Sequence, residues 1–129
     1  MQIDHTLICP KGIITIETKT YIGKIYGDGN EKYWRQYIQG NKFGIKRYSP
    51  IKQGRAHSAK LHDLLANKGF NRRIDTIVVF AINTIVKVNP KPIPVLYRKQ
   101  LRDYISRLPD IMSREDIIKY KNEIMNLLL

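Results

Sequence analysis

Residues 77–82 read Ile-Val-Val-Phe-Ala-Ile, six apolar positions without a polar break. The run is far too short to cross a bilayer. A strand with one face in water would alternate, so this one fits the middle of a sheet with both faces covered. Covering it requires helices packed on the sheet. At 129 residues the chain fits a single domain, 1–129, and its 43% apolar content suffices for a core.

The remaining elements follow from local chemistry. Residues 2–9 read as a strand, Pro10-Lys11-Gly12 as a turn, and Ile13–Thr20 as a second strand rich in β-branched residues. Residues 21–26 alternate loosely and end at Gly27-Asp28-Gly29-Asn30; residues 32–39 form a polar–aromatic strand, and 43–48 one more short extended piece. Ser49-Pro50 then opens a helix, with Ser at the N-cap and Pro at the first helical position. That helix runs through Asn67 and closes at Lys68-Gly69, with Gly54 weakening its first half. After the buried run, 89–94 is a proline-rich connector and 95–96 a very short strand. Residues 97–108 are helical, and Ser113-x-x-Asp116 is a capping box for a last helix ending in three leucines. The order predicts an α/β fold: one mixed sheet flanked by helices.

Lys and Arg number 23 against 11 Asp and Glu, a net charge of +12. Such an excess favours polyanions, nucleic acid first and an anionic membrane surface second. The single cysteine, Cys9, precludes a disulfide within the chain and a zinc–thiolate cluster; a buried thiol in a reducing compartment is expected. Residues 1–16 lack the pattern of a signal peptide, since Asp4, His5 and Lys11 interrupt them. The reading is a cytoplasmic protein with no membrane partner.

Asp4 precedes Glu17 by one hairpin, and Lys19 follows Glu17 by two residues. With the turn near residue 11, Asp4 falls opposite a residue near 18, within reach of Glu17 or Lys19. Two carboxylates so placed can share a divalent cation, and a lysine on the same strand face can reach an attacking water. The alternative is a solvated hairpin face whose Glu17–Lys19 pair contributes little.

Gln53 and His57 lie four residues apart on the following helix and face one way. Around them stand Lys46, Arg47, Lys52, Arg55 and Lys60, with Asp63 the only acid from 46 to 73. A basic helix beside a carboxylate pair suits phosphodiester cleavage, and these cations with His57 are the candidate nucleic-acid contacts. Tyr21, Tyr26, Tyr33, Trp34, Tyr37 and Tyr48 interleave with Lys24, Lys32, Arg35, Lys42, Lys46 and Arg47. Bases could stack there, or the rings could be ordinary sheet packing.

Taken together, Gln2-Ile-Asp-His5, Gly12-Ile-Ile-Thr-Ile-Glu-Thr-Lys19, Tyr21-Ile-Gly-Lys-Ile-Tyr-Gly27, Trp34 and Ser49-Pro-Ile-Lys-Gln53-x-x-x-His57 resemble the nuclease-related domain (NERD). That domain belongs with the PD-(D/E)xK nucleases, whose fold is restriction-endonuclease-like. The likeness runs in order through residues 2–65 and more loosely beyond. It implies that Asp4 and Glu17 are metal ligands and that Lys19 orients water and stabilises charge. It implies that Gln53 supports the site, with His57 at the following motif position. The family's core opens with a helix bearing a further glutamate, whereas here the first strand starts at residue 2. A domain short at its N-terminus is therefore expected, with an uncovered face that invites homo-oligomerisation.

The resulting expectation is a DNA phosphodiester hydrolase using Mg²⁺ or Mn²⁺, ions that hard oxygen ligands prefer over zinc. The alternative is a catalytically inactive nucleic-acid-binding or assembly module of the same fold.

Overall fold

The computed structural model describes residues 3–81 and 84–128, with eight strands and three α-helices in mixed α/β order. Strands β1 (His5–Cys9), β2 (Gly12–Lys19), β6 (Ile74–Phe80) and β8 (Val95–Tyr97) form one sheet in the order β1-β2-β6-β8. A second sheet has the order β5 (Ile45–Tyr48), β4 (Tyr33–Tyr37), β3 (Gly23–Gly27), β7 (Thr84–Val88). The single sheet expected from sequence is thus two, both mixed.

The division follows from how the strands connect. The neighbours β2 and β6 run parallel, and the strands that follow each of them, β3 and β7, also pair in parallel. Both chains leave the first sheet at the same level and enter the second side by side. At the break the ladder stops, and side chains take over its carbonyls. Gln36 Nε2 donates to the Ile22 carbonyl at 2.9 Å, and the Thr84 hydroxyl donates to the Tyr21 carbonyl. Gly23, at φ +81°, makes the bend; a Cβ there would lie 2.3 Å from the Tyr37 carbonyl oxygen.

The 77–82 run is central as expected: β6 pairs with β2 on one side and β8 on the other, and Ile77, Val78, Val79 and Phe80 are buried. Ile82 lies outside the described residues, as do Gln2 at the start of the expected first strand and Leu129 of the terminal leucines. Helix α1 (Pro50–Ala66) and helix α3 (Arg114–Leu128) cover one face of the first sheet, where Ile13 meets Leu61, Leu65, Met112, Tyr120 and Ile124. Helix α2 (Leu101–Ser106) covers the other, where Ile14, Ile16, Ile77 and Val79 meet Leu101 and Ile105. A third cluster, including Ile25, Trp34, Ile51, Val78 and Phe80, joins the two sheets to the start of α1.

The caps follow the sequence. Ser49 accepts from the Lys52 backbone N–H at 3.3 Å with Pro50 behind it. Ser113 accepts from the Asp116 N–H at 3.1 Å. The Asp116 carboxylate, however, accepts from Arg72 at 2.9 Å, tying α3 to the segment before β6. Cys9, expected buried, is half-exposed and free. Among the described residues no helix is long and apolar enough to cross a membrane.

Candidate active site

Strand alternation puts Ile13, Thr15, Glu17 and Lys19 of β2 on one face. The face turns toward α1. Its lower half, Ile13 and Thr15, is buried and uncharged, and its upper half carries charge.

The hairpin register places His5 opposite Ile16, so Asp4, one residue before the strand, comes level with Glu17. Asp4 Oδ2 accepts from the Thr18 backbone N–H at 2.9 Å, which holds the acid against β2. Glu17 is only 4% exposed. Lys19 Nζ donates to Gln53 Oε1 at 2.8 Å and lies 3.8 Å from Glu17 Oε1. His57 Nδ1 lies 3.3 Å from Glu17 Oε2. Gln53 and His57, one helical turn apart, thus reach down from α1 onto Lys19 and Glu17 respectively.

The helix comes this close because residue 54 has no side chain. A Cβ at Gly54 would sit 2.7 Å from Thr76 Cγ2 and 3.5 Å from Glu17 Cβ. Beneath it, Ser58 bridges two strands: its hydroxyl is 2.5 Å from that of Thr15 and 2.6 Å from that of Thr76. All three hydroxyls are buried and mutually satisfied, which fixes α1 over β2 and β6.

Burial raises the Glu17 pKa above the ordinary carboxylate value, and the nearby Asp4 charge raises it further. His57 and then Lys19 pull the other way without cancelling it. The sign of the stability effect follows. A raised native pKa means the native state holds its proton where the unfolded chain has lost it. Stability from this group is therefore complete below the unfolded pKa and is lost as pH rises through the native one. In metal-free buffer, Glu17→Gln is expected to melt above wild type at neutral pH, with the gap closing near pH 4. Paired melting curves across pH check this; a gap that does not depend on pH would count against it.

The five cations and His57 expected to contact nucleic acid do not form one patch. His57 faces Glu17. Arg47 turns inward, donating from Nε to Gln36 Oε1 at 2.9 Å and lying 4.7 Å over the Tyr21 ring. Lys46, on the opposite face of β5, sits 4.0 Å over Tyr33. Arg55 and Lys60 are exposed on α1, and Lys52 is half-buried there. Two further residues border the site that the sequence did not place there. Tyr21 lies 5.8 Å from Lys19 Nζ and links it to Arg47. Gly54 was legible only as a weak helix residue, although glycine within a helix otherwise well capped is the signal of a close approach.

The donor set suits a hard cation. Two carboxylates adjoin, and burial disfavours the charged form of Glu17, which a bound cation would favour. Among the described residues no three of His, Cys, Asp and Glu gather as a ready-made metal cage. Mg²⁺ needs no such cage, since it keeps several waters and uses one or two carboxylates.

A family model described as the nuclease-related domain matches residues 1–81. An uncharacterized protein of Bacillus anthracis is 27% identical over 124 residues, covering 92% of this chain. The match covers 55% of that protein, so the chain spans about half the length of the curated relative. No solved structure matches the chain.

Proposed function

The chain belongs to the nuclease-related domain family, and from that premise we propose that it is a metal-dependent DNA phosphodiester hydrolase acting in the cytoplasm. One observation carries the reading: Asp4 just before β1, Glu17 and Lys19 on β2, and Gln53 and His57 on α1 converge on one spot. A structural ion pair would not require a buried glutamate beside a second carboxylate.

In this reading Asp4 and Glu17 hold Mg²⁺ or Mn²⁺, which supplies Lewis acidity for water and phosphate. Thr18 N–H positions the Asp4 carboxylate, and His57 positions that of Glu17. Gln53 aims the Lys19 ammonium. Lys19 places positive charge where the attacked phosphate becomes more negative. Lys52, Arg55 and Lys60 on α1 would meet the phosphates flanking the scissile bond. In this reading the elements after residue 81 belong to the same domain, which the pairing of β8 with β6 and the packing of α3 beside α1 support.

The test is relaxation of supercoiled plasmid with Mg²⁺ or Mn²⁺, against chelator and against Lys19→Met. Metal-dependent nicking lost in the variant is expected; equal rates in all arms would leave an inactive binding module. Independently of activity, either metal at about a hundred times its dissociation constant is expected to stabilise wild type by about 2.7 kcal/mol. Asp4→Asn and Glu17→Gln should show no such rise in melting temperature. Equal rises in all three proteins would place the metal elsewhere.

A further inference from the structure

The second sheet has a face that the candidate active site does not use. Its inner side carries Ile25, Trp34, Gln36 and Arg47. On its outer side the tyrosines Tyr26, Tyr33 and Tyr48 are each 44% exposed, and Tyr37 is half-buried among them. Lys24, Arg35, Lys46 and Lys87 alternate with these rings, all exposed. None of the four strands contains an acidic residue.

The register sharpens the pattern. One row across the sheet reads Lys46, Arg35, Tyr26, Lys87 in the order β5, β4, β3, β7. Arg35 and Lys46 stand directly opposite each other on antiparallel strands. Like charges so placed cost stability, a cost that the Lys46 ammonium over the Tyr33 ring offsets only in part. An anion lying across the row removes the cost. The rings are arranged edge to face, Tyr26 with Tyr37 at 5.6 Å between centroids and Tyr33 with Tyr48 at 6.1 Å. Phe43, 85% exposed, stands in the loop joining β4 to β5.

We propose that this outer face binds single-stranded nucleic acid, with bases stacking on its tyrosines and phosphates paired with its cations. Stacking tolerates any base, because every base has a π-face. Paired bases in a duplex keep their faces covered, so the rings favour a single strand. A single strand uses both features at once, its phosphates on the cations and its bases on the rings. The platform also adjoins the chemistry, for on β5 Lys46 and Tyr48 face outward while Arg47 between them faces Tyr21 beside Lys19.

The experiment is fluorescence anisotropy with a labelled twenty-nucleotide thymidine strand in chelator. No cutting occurs there, and failure of this proposal leaves the cleavage reading untouched. Tyr26→Ala and Tyr33→Ala are each expected to weaken binding about tenfold, with Tyr26→Phe and Tyr33→Phe close to wild type. Should an alanine variant misfold, Arg35→Gln and Lys46→Gln provide a second reading: each lowers the log–log salt slope by about 0.7. Alanine variants that fold and bind like wild type overturn the proposal. So does duplex DNA or polyglutamate bound as tightly as the single strand.

Discussion

Lys19→Met is expected to cut DNA at least about a hundredfold more slowly than wild type. Nζ is held 2.8 Å from Gln53 Oε1, and the side chain is only 17% exposed, so its charge is partly shielded from water. Removing one preorganised charge-stabilising donor costs about 10²–10³ in rate. Methionine preserves the aliphatic stem and its packing, so the loss reports on the ammonium alone. The interaction strengthens only as charge develops on the phosphate, so kcat should fall with little change in KM. Gln53→Ala, which frees the ammonium without removing it, should cost less, about tenfold. Single-turnover rates at saturating metal measure both. A Lys19→Met rate within a few-fold of wild type would show that the amine stabilises no charge in the reaction.

The second large effect concerns Gly54, and its sign opposes helix propensity. In a free helix Gly→Ala gains about 1 kcal/mol. Here the new Cβ would lie 2.7 Å from Thr76 Cγ2 across the α1–sheet contact. Overpacking of that kind costs about 1–3 kcal/mol, so Gly54→Ala is expected to be less stable than wild type, by about 1 kcal/mol net. The shift also moves Gln53 and His57 off Lys19 and Glu17, so activity should fall further than stability. Thr76→Ser removes the opposing methyl while keeping the hydroxyl that Ser58 engages. In the double variant both losses should be largely reversed, which a thermodynamic cycle measures directly. A Gly54→Ala protein more stable than wild type would mean that α1 stands further from the sheet.

Much of the candidate site follows from short-range geometry. A hairpin turning at Pro10-Lys11 brings residue pairs summing to 21 opposite one another, His5 with Ile16 among them, which puts Asp4 level with Glu17. Period two carries Lys19 to the Glu17 face, and period 3.6 turns Gln53 and His57 the same way. Each of these relations spans one turn or one helical repeat, and backbone stereochemistry alone sets it. The cap at Ser49 and the buried strand at 77–80 are legible for the same reason.

What the sequence could not determine depends on contacts between distant segments. Alternation sorts Tyr33 and Tyr37 of β4 onto one face and Trp34 onto the other, but not which face meets a core. That was decided when Ile51 and Phe80 packed against Trp34. The split into two sheets depended on side chains of Gln36 and Thr84 reaching carbonyls 14 and 63 residues away. The raised Glu17 pKa depended on α1 descending to the sheet at Gly54 and excluding water. The sequence by itself determined which groups share a face; only the tertiary structure decided which faces meet and how dry they become, because burial is a property of the partner as much as of the residue.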